Sequence, residues 1–318
     1  MRLAIIAAAA LAMSSPATAQ EPITAIHDGI AAPLVGTLEG ELAQGEPAIL
    51  ILPGSGPTDR HGNNPLGVNA QSYRLLAEAL AERGIASVRI DKRGMFESAG
   101  AIADPNMVTV ADYVADTEAW ADAIEARTAA DCTWLLGHSE GTLVAMAAAA
   151  TTPERYCGLL LVAPVGRPLG ATLREQLLRN PANAPIMPQV ETILAALENG
   201  ERYEGEMHPG LVSLFGPQVQ DFVISLLSYN PYELLQGHDL PVLVIGGRED
   251  LQTPDADALA LALARPDARI LLVEGMTHTL KQIAPGNAAA NQASYTDPDL
   301  PIAPAVPDAI ALFVAEKR

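Results

Sequence analysis

The stretch Gly137-His138-Ser139-Glu140-Gly141 combines a nucleophile with the residues needed to expose it. It follows the apolar run Thr133-Trp134-Leu135-Leu136 and precedes a helical, alanine-rich run over 142–150. A serine between a strand end and a helix start must turn so sharply that small residues are needed two positions either side, which accounts for Gly137 and Gly141. The turn lifts the Ser139 hydroxyl above the sheet. It also aims the free N–H groups and partial positive charge of the helix N-terminus at the oxygen the serine attacks. His138, inside the turn, is expected to face away.

A serine needs a base to take its proton, and the base needs an acid to fix its tautomer. Two further loops supply both. The run Pro241-Val242-Leu243-Val244-Ile245 leads into Gly246-Gly247-Arg248-Glu249-Asp250, and the run ending in Leu272-Val273 leads into Glu274-Gly275-Met276-Thr277-His278. Parallel strands finish at one rim, so Asp250 and His278 are expected beside Ser139. Of the six histidines, His278 is the expected base: His27 and His61 precede the serine, while His208 and His238 follow no strand. Asp250 is the expected acid, with Glu249 as the alternative.

The third requirement is a pair of donors for the oxyanion. Glycines in Leu52-Pro53-Gly54-Ser55-Gly56-Pro57 let backbone pass close to a substrate after the run Ala48-Ile49-Leu50-Ile51-Leu52. The backbone N–H groups of Ser55 and Glu140 are the expected donors, with Gly54 or Gly56 as alternatives to Ser55.

The elements that must hold these residues alternate along the chain. Short apolar runs, including Ala86-Ser87-Val88-Arg89-Ile90, Gly158-Leu159-Leu160-Leu161-Val162 and Ala268 to Val273, are separated by amphipathic helical patterns over 71–83, 108–126 and 307–316. Two weaker strand candidates lie near 23–28 and 34–38. Continuous apolar strands separated by helices predict a parallel sheet covered on both faces. The rhythm stops between Val165 and Gly237, where helical patterns over 171–178, 189–198 and 217–226 occur without a strand. Such a long excursion predicts a helical cap at 166–237 inserted between two parts of the core, 20–165 and 238–318. The irregular stretch 282–306 reads as a surface loop near the mouth of the site.

The chain has 318 residues, 49% of them hydrophobic, which is enough for a large core without metal or disulfide support. A net charge of −19 repels phosphate backbones and anionic membrane surfaces, so no nucleic-acid partner and no stable membrane insertion are expected. Arg2, the short apolar run 3–13 and Ala17-Thr18-Ala19 read as a signal peptide over 1–19, cut after Ala19. The product is therefore expected to be exported, to the periplasm or beyond. Export would place Cys132 and Cys157 in an oxidising compartment, each just before an apolar run, where they either bridge or stay as two buried thiols.

Together the residues resemble an α/β-hydrolase fold serine hydrolase, similar to the serine aminopeptidase-like and cinnamoyl-esterase-like families. The resemblance rests on the stretch from Gly54 to Arg60, Asp91-Lys92-Arg93-Gly94, the turn at Ser139, Asp250-Leu251-Gln252 and Gly275-Met276-Thr277-His278. It implies an α/β fold with a mostly parallel eight-stranded sheet flanked by helices, an inserted helical cap, and no cofactor. Pro53 departs from the family pattern, which has a histidine before the oxyanion glycine.

The chemistry so outlined is acyl transfer: Ser139 attacks, His278 moves the proton, Asp250 orients His278. The expected substrate is a small ester, neutral or mildly apolar, on account of the apolar residues Leu211, Leu214, Phe215, Phe222, Ile224 and Leu226 in the cap. A peptidase is the alternative, with Glu201, Glu204 or Glu206 reading an ammonium group. A non-catalytic binding protein of the same fold is a third reading, opposed by the complete triad. The charges of Asp59-Arg60 and Asp91-Lys92-Arg93 are expected to pair with one another and tie the rim together.

Overall fold

The computed structural model describes residues 20–317; the expected signal peptide lies outside them. In chain order the strands are β1 (Gln20–Ala25), β2 (Leu34–Glu39), β3 (Ile49–Leu52), β4 (Asn63–Asn64), β5 (Val68–Asn69), β6 (Ser87–Ile90), β7 (Thr133–His138), β8 (Tyr156–Val162), β9 (Val242–Gly247) and β10 (Arg269–Val273). Eight of them form one sheet in the order β1-β2-β6-β3-β7-β8-β9-β10, and β4 and β5 make a separate hairpin. From β6 to β10 every pairing is parallel, while β2 runs against both of its neighbours. The fold is thus the mostly parallel α/β-hydrolase arrangement implied by the sequence resemblance.

The helices are α1 (Ser72–Ala81), α2 (Val110–Thr128), α3 (Glu140–Thr151), α4 (Leu169–Leu178), α5 (Met187–Glu198), α6 (Val212–Phe215), α7 (Gln220–Leu227), α8 (Pro231–Gln236), α9 (Asp255–Ala264), α10 (Ala288–Ala293) and α11 (Ala305–Glu316). Strand alternation sends successive residues to opposite faces. Leu50, Val88, Leu135, Leu159 and Val244 pack with α2 and α3 on one side. Ile49, Ile51, Trp134, Leu136, Leu160 and Ile245 pack with α1 and α11 on the other. The central strands are apolar throughout because both of their faces are covered.

Between β8 and β9 the regular elements are all helical, and this segment has an apolar cluster of its own from Val190, Ile193, Leu194, Leu197, Leu211, Phe215 and Val223. Two contacts anchor it: the Gln176 side chain of α4 donates to the Gln252 carbonyl in the loop after β9 at 3.0 Å, and Arg167, just before α4, pairs with buried Asp257 in α9 at 2.7 Å. Cys132 and Cys157 form a disulfide across the N-terminal ends of β7 and β8. Among the described residues no single helix is long and apolar enough to cross a membrane.

Candidate active site

The register brings five strand ends to one rim, with Leu52 beside Gly137, His138 beside Val162, Val162 beside Ile245, and Gly247 beside Val273. Ser139 follows β7 with φ 53° and ψ −123°, a left-handed conformation costly for a residue with a Cβ. The surroundings hold it there. Its N–H donates to the Val162 carbonyl at 3.1 Å, and its own carbonyl accepts from the Thr142 N–H and hydroxyl at 2.9 and 2.6 Å. A Cβ on Gly137 would stand 2.4 Å from the Gly141 carbonyl oxygen, and one on Gly141 would stand 2.3 Å from that of Leu52. Both positions therefore require glycine.

The imidazole Nδ1 of His278 lies 2.8 Å from Asp250 Oδ2, with both residues buried. An ionised carboxylate only accepts, so Nδ1 carries a proton, and in the neutral ring Nε2 is then the nitrogen with the lone pair, the tautomer a base needs. The other carboxylate oxygen, Oδ1, accepts from the N–H groups of Gln252 and Thr253 at 2.7 and 2.9 Å. Burial alone would raise the Asp250 pKa; His278 and these amide hydrogen bonds outweigh it, so the carboxyl sits below its ordinary value. Glu249, the alternative acid, is turned elsewhere and accepts from the Gly286 N–H.

Ser139, His278 and Ser55 line one cavity of about 150 Å³. Gly54 passes so close that a Cβ on it would meet the Ser139 Cβ at 3.2 Å. Among the described residues the N–H groups of Ser55 and Glu140 have no acceptor, whereas that of Gly54 is spent on the Tyr73 hydroxyl at 2.9 Å. This removes Gly54 from the expected donors.

The peptide between Gly54 and Ser55 is held from its other end as well. Lys92 Nζ, buried in the loop after β6, donates to the Gly54 carbonyl at 2.7 Å. In a trans peptide the C=O and the following N–H point in opposite directions, so fixing the Gly54 carbonyl fixes the aim of the Ser55 N–H. The same ammonium lies 3.6 Å from Glu140 Oε1 and 5.6 Å from the centre of the Tyr113 ring. Burial lowers the Lys92 pKa, with Glu140 acting against it.

His138 corrects one expectation. Its ring does not face away but lies between Tyr73 and His278, at centroid distances of 5.4 and 4.9 Å. Its Nε2 is 2.9 Å from the His278 carbonyl, which can only accept, so Nε2 is protonated and Nδ1 accepts from the Tyr73 hydroxyl at 2.8 Å. The resulting chain runs from the Gly54 N–H through Tyr73 and His138 to the backbone of His278. Burial, with His278 adding to it, pushes the His138 pKa down to about 3, which keeps this ring neutral.

Other expectations fall differently. Leu211, Leu214, Phe215, Phe222, Ile224 and Leu226 do not line the cavity around Ser139. Leu211 and Phe215 are buried in the insert's own cluster, Ile224 packs against it, and Phe222 packs edge-on to Tyr113. Glu201, Glu204 and Glu206 are exposed and also outside the cavity. Of the rim charges expected to pair with one another, Arg60 and Asp91 do so at 2.8 Å, whereas Arg93 pairs with Asp112 and Asp116 of α2 at 3.0 and 2.6 Å, Lys92 with Glu140, and Asp59 accepts from the N–H groups of His61 and Asn63. The stretch 282–306, expected as a surface loop near the mouth of the site, brings Tyr295 into the cavity wall. Among the described residues no three His, Cys, Asp or Glu side chains gather as a metal would require.

Comparison with known proteins agrees with this fold. Residues 64–198 match the family described as serine aminopeptidase, S33. That stretch holds Ser139 and Glu140 but ends before Asp250 and His278. No curated protein matches the chain in sequence. Among solved structures, Est1E from Butyrivibrio proteoclasticus with ferulic acid bound superposes with TM-score 0.57 at 17% identity, covering 93% of this chain and 98% of that one. A thermophilic esterase from Thermogutta terrifontis gives 0.55 at 18%, covering 94% and 99%. A monoacylglycerol lipase from Paleococcus ferrophilus gives 0.53 at 16%, covering 90% and 99%. The chain has the α/β-hydrolase fold and, across residues 64–198, resembles the serine aminopeptidase S33 family.

Proposed function

We propose that this chain is an exported serine hydrolase that cleaves small carboxylic esters through an acyl-enzyme, with Ser139, His278 and Asp250 as its triad. The observation that carries the reading is the Asp250–His278 pair, which leaves Nε2 unprotonated in the cavity that Ser139 lines. His278 takes the Ser139 proton as the Oγ–carbon bond forms. The N–H groups of Ser55 and Glu140 hold the oxyanion, and its collapse expels the alcohol, which leaves with the proton from His278. Water then repeats the sequence in reverse, with His278 as base, and releases the acid.

The segment 166–237 acts as a cap in this reading, bound through α4 to the loop that carries Asp250. The leader over 1–19 directs the chain out of the cytoplasm, which suits the Cys132–Cys157 bridge. A peptidase would need a carboxylate to receive an ammonium group, and the glutamates considered for that role lie outside the cavity. The test is labelling by a fluorophosphonate together with turnover of short-chain esters and aminoacyl anilides. Labelling lost in Ser139→Ala, with esters turned over faster than anilides, is the expected result. Labelling that survives Ser139→Ala overturns the triad, and faster anilide turnover overturns the ester preference.

A further inference from the structure

We infer that the cavity beside Ser139 selects esters whose small acyl or alcohol group carries a hydroxyl, held by Tyr295, Gln252 and Asn64. The inference rests on the ester reading above and adds the substrate class to it. A volume of about 150 Å³ admits roughly five water-sized groups, so one short substituent fills it. Its wall away from Ser139 and His278 carries hydroxyl and amide groups set among hydrocarbon: Thr58, Asn64, Ser72, Gln252 and Tyr295 line it, with Val68 as an aliphatic contribution.

Several of these polar groups have unspent hydrogen-bonding capacity. Gln252 Nε2 donates to the Tyr295 hydroxyl at 3.0 Å, which leaves the Tyr295 O–H proton without an acceptor and Gln252 Oε1 without a donor among the described residues. Asn64 uses its oxygen on the Leu66 N–H at 2.8 Å and one N–H on Thr58 at 3.4 Å, leaving a second N–H. One donor beside one acceptor matches a hydroxyl, which both gives and receives. An alkyl group of the same size would leave them unpaired in a confined space, the situation in which sites discriminate most strongly. Burial pushes the Tyr295 pKa up to about 12, so its hydroxyl stays a neutral donor at ordinary pH.

The wall also lacks a charge partner for an ionic substituent. Among the described residues no Asp, Glu, Lys or Arg lines the cavity, and the nearby Asp250 is engaged by His278, Gln252 and Thr253.

The experiment compares matched esters in a pH-stat. Methyl butyrate is set against methyl 3-hydroxybutyrate for the acyl side, and pentyl acetate against 2,3-dihydroxypropyl acetate for the alcohol side. The expected result is that kcat/KM favours the hydroxylated member of at least one pair by about tenfold or more. Tyr295→Phe and Gln252→Leu should each bring that ratio towards one. Ratios at or below one in both pairs overturn the inference while leaving the ester reading intact. A wild-type preference that persists in both variants overturns the assignment to these residues. If no ester is hydrolysed, the ester reading fails and this inference falls with it.

Discussion

Lys92→Met keeps the length and apolar stem of the side chain while removing its charge and its donors. Two groups then lose their partner: the Gly54 carbonyl at 2.7 Å and the Glu140 carboxylate at 3.6 Å, both buried. Stranding one member of a buried ion pair costs about 3–5 kcal/mol of stability. The catalytic effect is separate. A whole oxyanion donor is worth about 2.7–4 kcal/mol, or roughly 10²–10³ in kcat. Because Tyr73 still holds the Gly54 N–H, the Ser55 N–H is misdirected rather than lost, and a fall in kcat of about 10- to 100-fold is expected. The double variant Lys92→Met/Glu140→Gln removes the stranded carboxylate and should regain much of the stability while leaving kcat low. Pre-steady-state release of nitrophenol from a short-chain ester gives the acylation rate, and thermal unfolding gives the stability. The reasoning is refuted if either variant acylates within about threefold of wild type, or if the rate recovers in step with the melting temperature.

His138 and the disulfide support two further predictions. The folded pKa of His138, near 3, lies below its ordinary 6.5, so the unfolded chain takes up the proton first and stability falls as pH drops through 6.5; from this residue alone about 2 kcal/mol is lost between pH 7.5 and 5. Urea titrations across that range should show a shallower fall in His138→Gln, and equal slopes would dismiss the argument. Replacing Cys132 and Cys157 by serine together opens a loop with a sequence separation of 25 and should cost about 3.5 kcal/mol on the chain-entropy estimate, measurable as a lower denaturation midpoint. An unchanged midpoint would mean the bridge adds nothing to the fold.

Much of the architecture was legible because the signals were local. Ile49 to Leu52 and Val242 to Ile245 are continuous apolar runs, which only a strand covered on both faces requires. Asp250 and His278 could be placed because each follows such a run by a few residues, and the parallel register carries both to the rim of Ser139. What the sequence concealed depends on distant partners. Tyr73 reads as one more apolar position on the α1 stripe, and only the fold puts His138, 65 residues on, within reach of its hydroxyl. His138 follows Trp134 and Leu136 onto the face that α1 covers, and the partners it meets there, the Tyr73 hydroxyl and the His278 carbonyl, are far off in the sequence. The apolar residues of the insert were expected at the substrate because their number is visible and their partners are not: Leu211, Phe215 and Ile224 join the insert's own cluster, Phe222 and Leu226 pack on the main core, and Leu214 is exposed. Tyr295 sits in a stretch without apolar periodicity, so nothing local marks it as part of a wall.

The hydrogen-bonded chain from Gly54 through Tyr73 and His138 to His278 constrains how this sequence can drift. Each of its side-chain atoms is satisfied by the next, and both side chains are buried, so a partner removed from one leaves the other's hydrogen bond unmade. Changing Tyr73 alone strands the imidazole, and changing His138 alone strands the phenol. Variation at these two positions is therefore permitted as a concerted exchange, and a homologue carrying one altered residue should carry a compensating change at the other.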